Sequence, residues 1–313
     1  MTKHRYLRHV RALYALVALA LCAAGVSRAS TVLPTLPAPV LFAPGIVSGS
    51  ADDGSPAISP DGTTMLFTRS SRWGIILESH RTNGAWSRPQ IASFSGTWNT
   101  WAPEFSPDGT YVIFVQARDH AANLWRVNRT PNGWSEAQRL PDTVNIGTSI
   151  WKSSIAADGS IYLTAIDASG GKRLYCSRYR NGAYETAQPL PFSDGKHGDV
   201  DPAVAPDQSF VVFASNGRTD GDPNDRLFIA FRANGEWGSP VPVRYDGDGA
   251  GNDNEPRLSR DLSTLYFSSD RIAAAHFPRT AAQAQRDLDD LESWNNGTQN
   301  AWTLPLAPLL KRP

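Results

Sequence analysis

Five times along this chain an apolar strand runs into a tight turn and a second apolar strand returns. The fullest copy reads Glu104-Phe105-Ser106-Pro107-Asp108-Gly109-Thr110-Tyr111-Val112-Ile113-Phe114. Proline presets φ for the second position of a type I turn, Asp tolerates the third, and Gly takes the left-handed fourth. Apolar residues alternate on either side, which is the period of a strand, so the unit is a β-hairpin. The other copies run from Ile58 through Asp61-Gly62 to Phe67, from Ile155 through Asp158-Gly159 to Leu163, from Val204 through Asp207 to Phe213, and from Leu258 through Asp261 to Phe267. The turn aspartates lie 47, 50, 49 and 54 residues apart. A period near fifty is that of a propeller blade. Gln208 and Leu262 replace the glycine in the last two copies; a left-handed conformation costs such residues about 1 kcal/mol or more, so these two turns are expected to relax.

Each repeat divides into four strands. Asn83-Gly84, Asn132-Gly133, Asn181-Gly182 and Asn234-Gly235 are hairpin-turn dipeptides joining the third to the fourth, and each is followed by an aromatic, Trp86, Trp134, Tyr184 or Trp237. Recurrence in every full repeat marks these aromatics as packing between blades rather than as a site. The segment 40–45 resembles the repeat-ending strands yet precedes the first repeat. The expected fold is therefore all-β, a single propeller of four-stranded blades over 40–310, closed by an N-terminal strand that completes the last blade and protects the sheet edges. Five blades are expected, near 50–98, 99–149, 150–198, 199–251 and 252–310 plus 40–45, six requiring one too degenerate to see. An insertion at 272–299 interrupts the fifth; its helix formers from Ala281 to Trp294 predict a short amphipathic helix.

The N-terminus carries Lys3, Arg5, Arg8 and Arg11, an apolar run from Ala12 to Ala24, and Ser27-Arg28-Ala29. Residues 1–29 read as a secretory signal peptide, followed by a proline-rich extended leader at 30–39, and the apolar run is too short to prefer spanning a membrane. Cys22 offers a lipoprotein alternative that Leu21 argues against. The mature chain has 25 Lys and Arg against 30 Asp and Glu, five net negative charges, which disfavours nucleic acid. Only Cys176 remains after cleavage, so no internal disulfide is possible. The chain is read as periplasmic or secreted, and monomeric.

The Ser-Pro-Asp-Gly hairpins, the strand ending Phe267-Ser268-Ser269-Asp270-Arg271 and the Asn-Gly-x-Trp turns resemble TolB-like, WD-repeat-like β-propeller proteins across residues 40–310. The resemblance implies an exported propeller of four-stranded blades, and for its best-known member a periplasmic protein-binding platform. The matching residues are turn and core positions, so it speaks for fold and is nearly silent on function.

Alignment on the turn Asp gives the ring at the channel entry. Six residues before it stand Ser55, Ala102, Lys152, Asp201 and Glu255; seven before, Gly54, Trp101, Trp151, Val200 and Asn254; eight before, Asp53, Thr100, Ile150, Asp199 and Asp253. This ring varies from blade to blade, as one asymmetric ligand would need. Candidate ligand-binding residues are Trp101 and Trp151 as a stacking platform, with Lys152, Asp201, Glu255, Arg118, His120, Arg218 and Arg271. The glycine-rich run holding Asp246, Asp248 and Asp253 is a weak calcium candidate that lacks calcium-loop spacing; otherwise no cofactor is expected. No nucleophile, zinc or phosphate-loop motif occurs. The leading expectation is a non-enzymatic module that binds an envelope protein, peptide or glycan on the channel-entry face. The alternative is a carbohydrate-active hydrolase or lyase with Asp201 and Glu255 as catalytic carboxylates, against which Lys152 and Arg257 offer plain ion-pair partners.

Overall fold

The structure is a computed structural model that describes residues 33–311 apart from Ser55 and Asp220; the segment 1–29 expected as a signal peptide, with Cys22, lies outside the described residues. Five antiparallel sheets form a ring, a five-bladed propeller. The second blade is typical: Asn99–Phe105, Tyr111–Arg118, Ala121–Thr130 and Gln138–Arg139 pair in sequence order, with Gly133–Trp134 extending the outer hairpin. In the fifth, Asp253–Leu258, Thr264–Ser269 and Asn300–Pro305 are completed by Val40–Leu41, whose residues face Thr303 and Trp302. The first strand of blade one is broken into Asp52–Asp53 and Ala57–Ile58.

The turns hold five times over. Gly62, Gly109 and Gly159 sit at φ of 72°, 72° and 85°. Gln208 and Leu262 do not relax; they adopt φ of 60° and 55° and close the same turn hydrogen bonds, 2.8 Å to the Ala205 carbonyl and 3.0 Å to the Ser259 carbonyl. At Gln208 the side chain offsets the cost. Its amide donates to Asp158 Oδ2 at 2.8 Å and its carbonyl accepts the Tyr162 hydroxyl at 2.9 Å, both in the preceding blade. Leu262 instead packs on the apolar core shared by blades four and five.

The blade-ending aromatics pack between blades: Trp134 meets Phe94 and Phe105 edge-on or tilted, and Trp237 meets Tyr162 and Phe192. Leader residue Leu36 is buried against blades four and five, held by a parallel bridge to Tyr245. In the insertion, Ala281–Glu292 is helical, opened by a Thr280–Gln283 capping box. None of its residues is buried. Trp294 meets Trp302 of the third fifth-blade strand, and Asn296 donates to the Ser50 carbonyl. Among the described residues no helix is long and apolar enough to cross a membrane.

Candidate functional site

The inner strands bulge at the ring that the turn alignment picks out. Their pairing skips two residues between Trp101 and Glu104, Ile150 and Ser153, Val200 and Ala203, and Asn254 and Arg257. Ala102, Asp201 and Glu255 sit there at φ of 52°, 57° and 49°, a conformation these residues adopt only when the surroundings impose it. The preceding blade does so through a hydroxyl. Ala102 N–H donates to Thr68 Oγ1 at 2.9 Å and Asp201 N–H to Thr164 Oγ1 at 2.8 Å. In the fourth blade Ala214 occupies the place of those threonines, and Glu255 N–H donates to Asp201 Oδ2 at 3.1 Å. In the second blade Val115 occupies it, and Lys152 in the following blade is not left-handed.

Two contacts join blades that are not neighbours, and such contacts cross the axis. Lys152 Nζ of blade three donates to the Pro256 carbonyl of blade five at 2.7 Å. Arg257 Nη1 of blade five pairs with Glu104 Oε2 of blade two. Lys152, Asp201 and Arg257 are 1%, 8% and 5% exposed. Burial pulls the Lys152 ammonium down while Asp201 and Glu255 hold it up, and burial raises the Asp201 carboxyl against the pull of Lys152. Glu255 Oε2 accepts the Ser268 hydroxyl at 3.0 Å and lies where a Cβ on Gly54 would stand, 2.6 Å away. That close approach explains the glycine at this ring position of blade one. The channel is therefore crossed by one ion pair, Glu104–Arg257, and by one lysine-to-carbonyl hydrogen bond.

The eight-before ring lies inside the blades, and it accounts for two of the arginines expected at the ligand. Asp53, Asp199 and Asp253 are fully buried and pair with Arg69, Arg218 and Arg271 at 2.7, 2.6 and 2.8 Å. Arg271 also donates to the Tyr245 hydroxyl. Arg218 and Arg271 thus tie each blade's first strand to the loop after its second. Asp248 pairs with Arg244 and Asp246 is exposed; among the described residues no three His, Cys, Asp or Glu side chains converge as a metal would require.

The entry mouth keeps an aromatic arc. Trp101 donates its indole N–H to the Trp151 carbonyl at 2.7 Å, and Trp151 is 40% exposed with Lys172 Nζ 3.8 Å above its ring. Arg118 stacks over the partly exposed Trp98, 4.6 Å from its centre. Trp73 stands beside Gly74, whose N–H donates to Asn99 Oδ1 at 2.7 Å. Trp73 and Trp98 went unmarked in the sequence because they fall in loops outside the aligned ring. His120 is exposed in the neighbouring loop at φ of 66°. On the opposite side of the mouth, Asp225 Oδ1 and Asn254 Oδ1 are buried with no hydrogen-bond partner, and burial together with Asp201 raises the Asp225 carboxyl to about 6.

A second opening lies at the other end of the channel, among the Ser-Pro-Asp-Gly turns. Its volume is about 660 Å³, and Ile58, Phe105, Ile155, Val204 and Leu258 line it above Glu104, Ser154 and Arg257. The residues four before the turn Asp, Ala57, Glu104, Ser154, Ala203 and Arg257, form this floor; the alignment that gave the entry ring would have shown them two residues further along.

No protein-family model matches the sequence, and no curated protein does. Solved structures do match in fold. A putative TolB from Agrobacterium tumefaciens aligns at a TM-score of 0.51 with 15% identity, over 82% of this chain and 90% of that one. TolB from Acinetobacter baumannii aligns at 0.49 with 16% identity, over 82% of this chain, which spans only 54% of that protein. A thermostable family-43 glycoside hydrolase aligns at 0.48 with 15% identity, over 72% and 86%. At such identities the likeness is one of fold, and the fold is that of a TolB-like β-propeller.

Proposed function

We propose that this chain is an exported, non-catalytic binding propeller whose entry mouth takes a hydroxyl-rich ligand, a glycan of the bacterial envelope. One combination carries the reading: the channel-entry end holds exposed tryptophans, Trp73, Trp98 and Trp151, and two buried acceptor oxygens, Asp225 Oδ1 and Asn254 Oδ1, that lack donors. Sugar rings offer flat C–H faces to indoles and hydroxyl donors to such acceptors. The hydrolytic alternative asks Asp201 and Glu255 to flank a glycosidic bond. Asp201 is instead engaged by the Glu255 N–H and the Lys152 charge, and Glu255 by Ser268, which favours binding without turnover.

The test is glycan-array binding of mature protein from Ser30 onward beside the Trp151→Ala variant, with product analysis on every hit. Binding that falls at least about tenfold in the variant, with no product, supports the reading. Turnover abolished by Asp201→Asn would replace it with the hydrolase. A protein captured by crosslinking from envelope extract, and lost on Trp101→Ala with Trp151→Ala, would move the ligand class from glycan to protein.

A further inference from the structure

The opening at the turn end of the channel has apolar walls and a charged floor. Each blade contributes one wall residue at the same register, Ile58, Phe105, Ile155, Val204 or Leu258. The floor is the Glu104–Arg257 pair that crosses the axis. Arg257 is 5% exposed, one of its Nη groups is spent on Glu104, and its Nε–H has no partner. A buried guanidinium N–H without an acceptor carries a desolvation cost. Glu104, one-fifth exposed beside it, retains acceptor lone pairs.

The charges of that floor decide what fits. Arg257 and Glu104 sum to zero, so an added anion faces Glu104 and an added cation faces Arg257. Either brings an uncompensated charge into an apolar funnel, which is costly. The complementary group is neutral and offers one acceptor and one donor side by side. A carboxamide does so on two separate atoms, whereas a hydroxyl must donate and accept through one oxygen.

We propose that the turn-end funnel is a second binding site, for an uncharged amide group carrying an apolar substituent. The amide carbonyl accepts from Arg257 Nε, the amide N–H donates to Glu104, and the substituent lies against the ring of wall residues. The site is independent of the entry-mouth reading, because the Lys152–Pro256 and Glu104–Arg257 contacts stand between the two mouths.

Three small probes of matched shape test it on the full mature chain: N-acetyl-leucinamide, which is neutral, N-acetyl-leucine, which is an anion, and leucinamide, which is a cation. The readout is the Arg257 Nε–H resonance in arginine-labelled protein. The neutral probe should shift it saturably in the millimolar range, as a ligand of this size allows, and the charged probes should bind at least about tenfold more weakly. Leu258→Trp and Ile58→Trp, which narrow the ring without touching the pair, should each reduce the response by a similar factor with the thermal midpoint retained. Preference for either charged probe, an unshifted Arg257 resonance, or equal binding by the narrowed variants would overturn the proposal. The wild-type titration stands even where a variant fails to fold.

Discussion

Replacing Lys152 with methionine removes one cation from a closed cluster and leaves its anions behind. Lys152 is 1% exposed, its Nζ is satisfied by the Pro256 carbonyl at 2.7 Å, and the charges of Asp201 and Glu255 oppose the pull of burial on its ammonium. Methionine is nearly as long and is flexible, so the packing cost is small. The loss is mainly electrostatic. Removing one partner of a buried pair costs about 3–5 kcal/mol, and the slight exposure of Asp201 (8%) places the expected loss near the lower end, about 3 kcal/mol. Urea unfolding followed by tryptophan fluorescence measures it. The pH dependence carries a sign. Asp201 is raised above its ordinary value by burial, with Lys152 opposing, and the variant removes that opposition. A carboxyl whose folded pKa exceeds its unfolded one contributes stability that is fully present below the unfolded value and lost as pH rises through the folded value. The variant's deficit should therefore shrink on going from neutral pH to about pH 5. Adding Asp201→Asn should recover most of the loss, since neither charge then needs the other. A deficit below about 1 kcal/mol, or a double variant no more stable than the single one, would refute this account of the channel.

Gln208→Gly relieves about 1 kcal/mol of left-handed strain but deletes two interblade hydrogen bonds worth about 1 kcal/mol each. A net loss near 1 kcal/mol is expected in urea unfolding, whereas Leu262→Gly, which trades strain for partly exposed apolar contact, should be close to neutral. Thr68→Val leaves the buried Ala102 N–H without its acceptor and should cost about 1–3 kcal/mol, visible as a lowered thermal midpoint. Asp225→Asn should stabilise the protein at pH 7: the carboxyl titrates near 6 when folded against an ordinary value of 3.8, so its ionisation works against folding above that range. After allowing for solvent screening of this half-buried group the gain is about 1–2 kcal/mol, and it should vanish by about pH 4; equal stability of the two proteins at both pH values would count against the raised carboxyl.

Propeller architecture was legible because it is written in local chemistry repeated five times. Proline, Asp and Gly at fixed offsets dictate a turn, the apolar alternation dictates the strands it joins, and register among copies dictates the blade. The aligned turn Asp even marked the residues at which the inner strands bulge. What the alignment could not carry is the direction a bulged side chain takes. Asp201 accepts the Glu255 N–H, Lys152 reaches across the axis to the Pro256 carbonyl, Glu255 folds back against Gly54 and Ser268, and Arg218 and Arg271, assigned by their loops to a ligand, close on aspartates of their own blades. The outcomes at Asp201, Lys152 and Glu255 depend on other blades, and a repeat signal averages that information away, while those at the two arginines depend on where a loop side chain closes within its own blade. The same reasoning locates where specificity is written. Thr68, Val115, Thr164 and Ala214 occupy one register position of the second strand, and the hydroxyl or its lack there goes with whether the next blade's bulge is capped by that strand, capped by Asp201, or not left-handed at all. A propeller can thus retain its turns and core while changing its channel through single residues at that position, which is why a sequence so explicit about its fold is so reserved about its ligand.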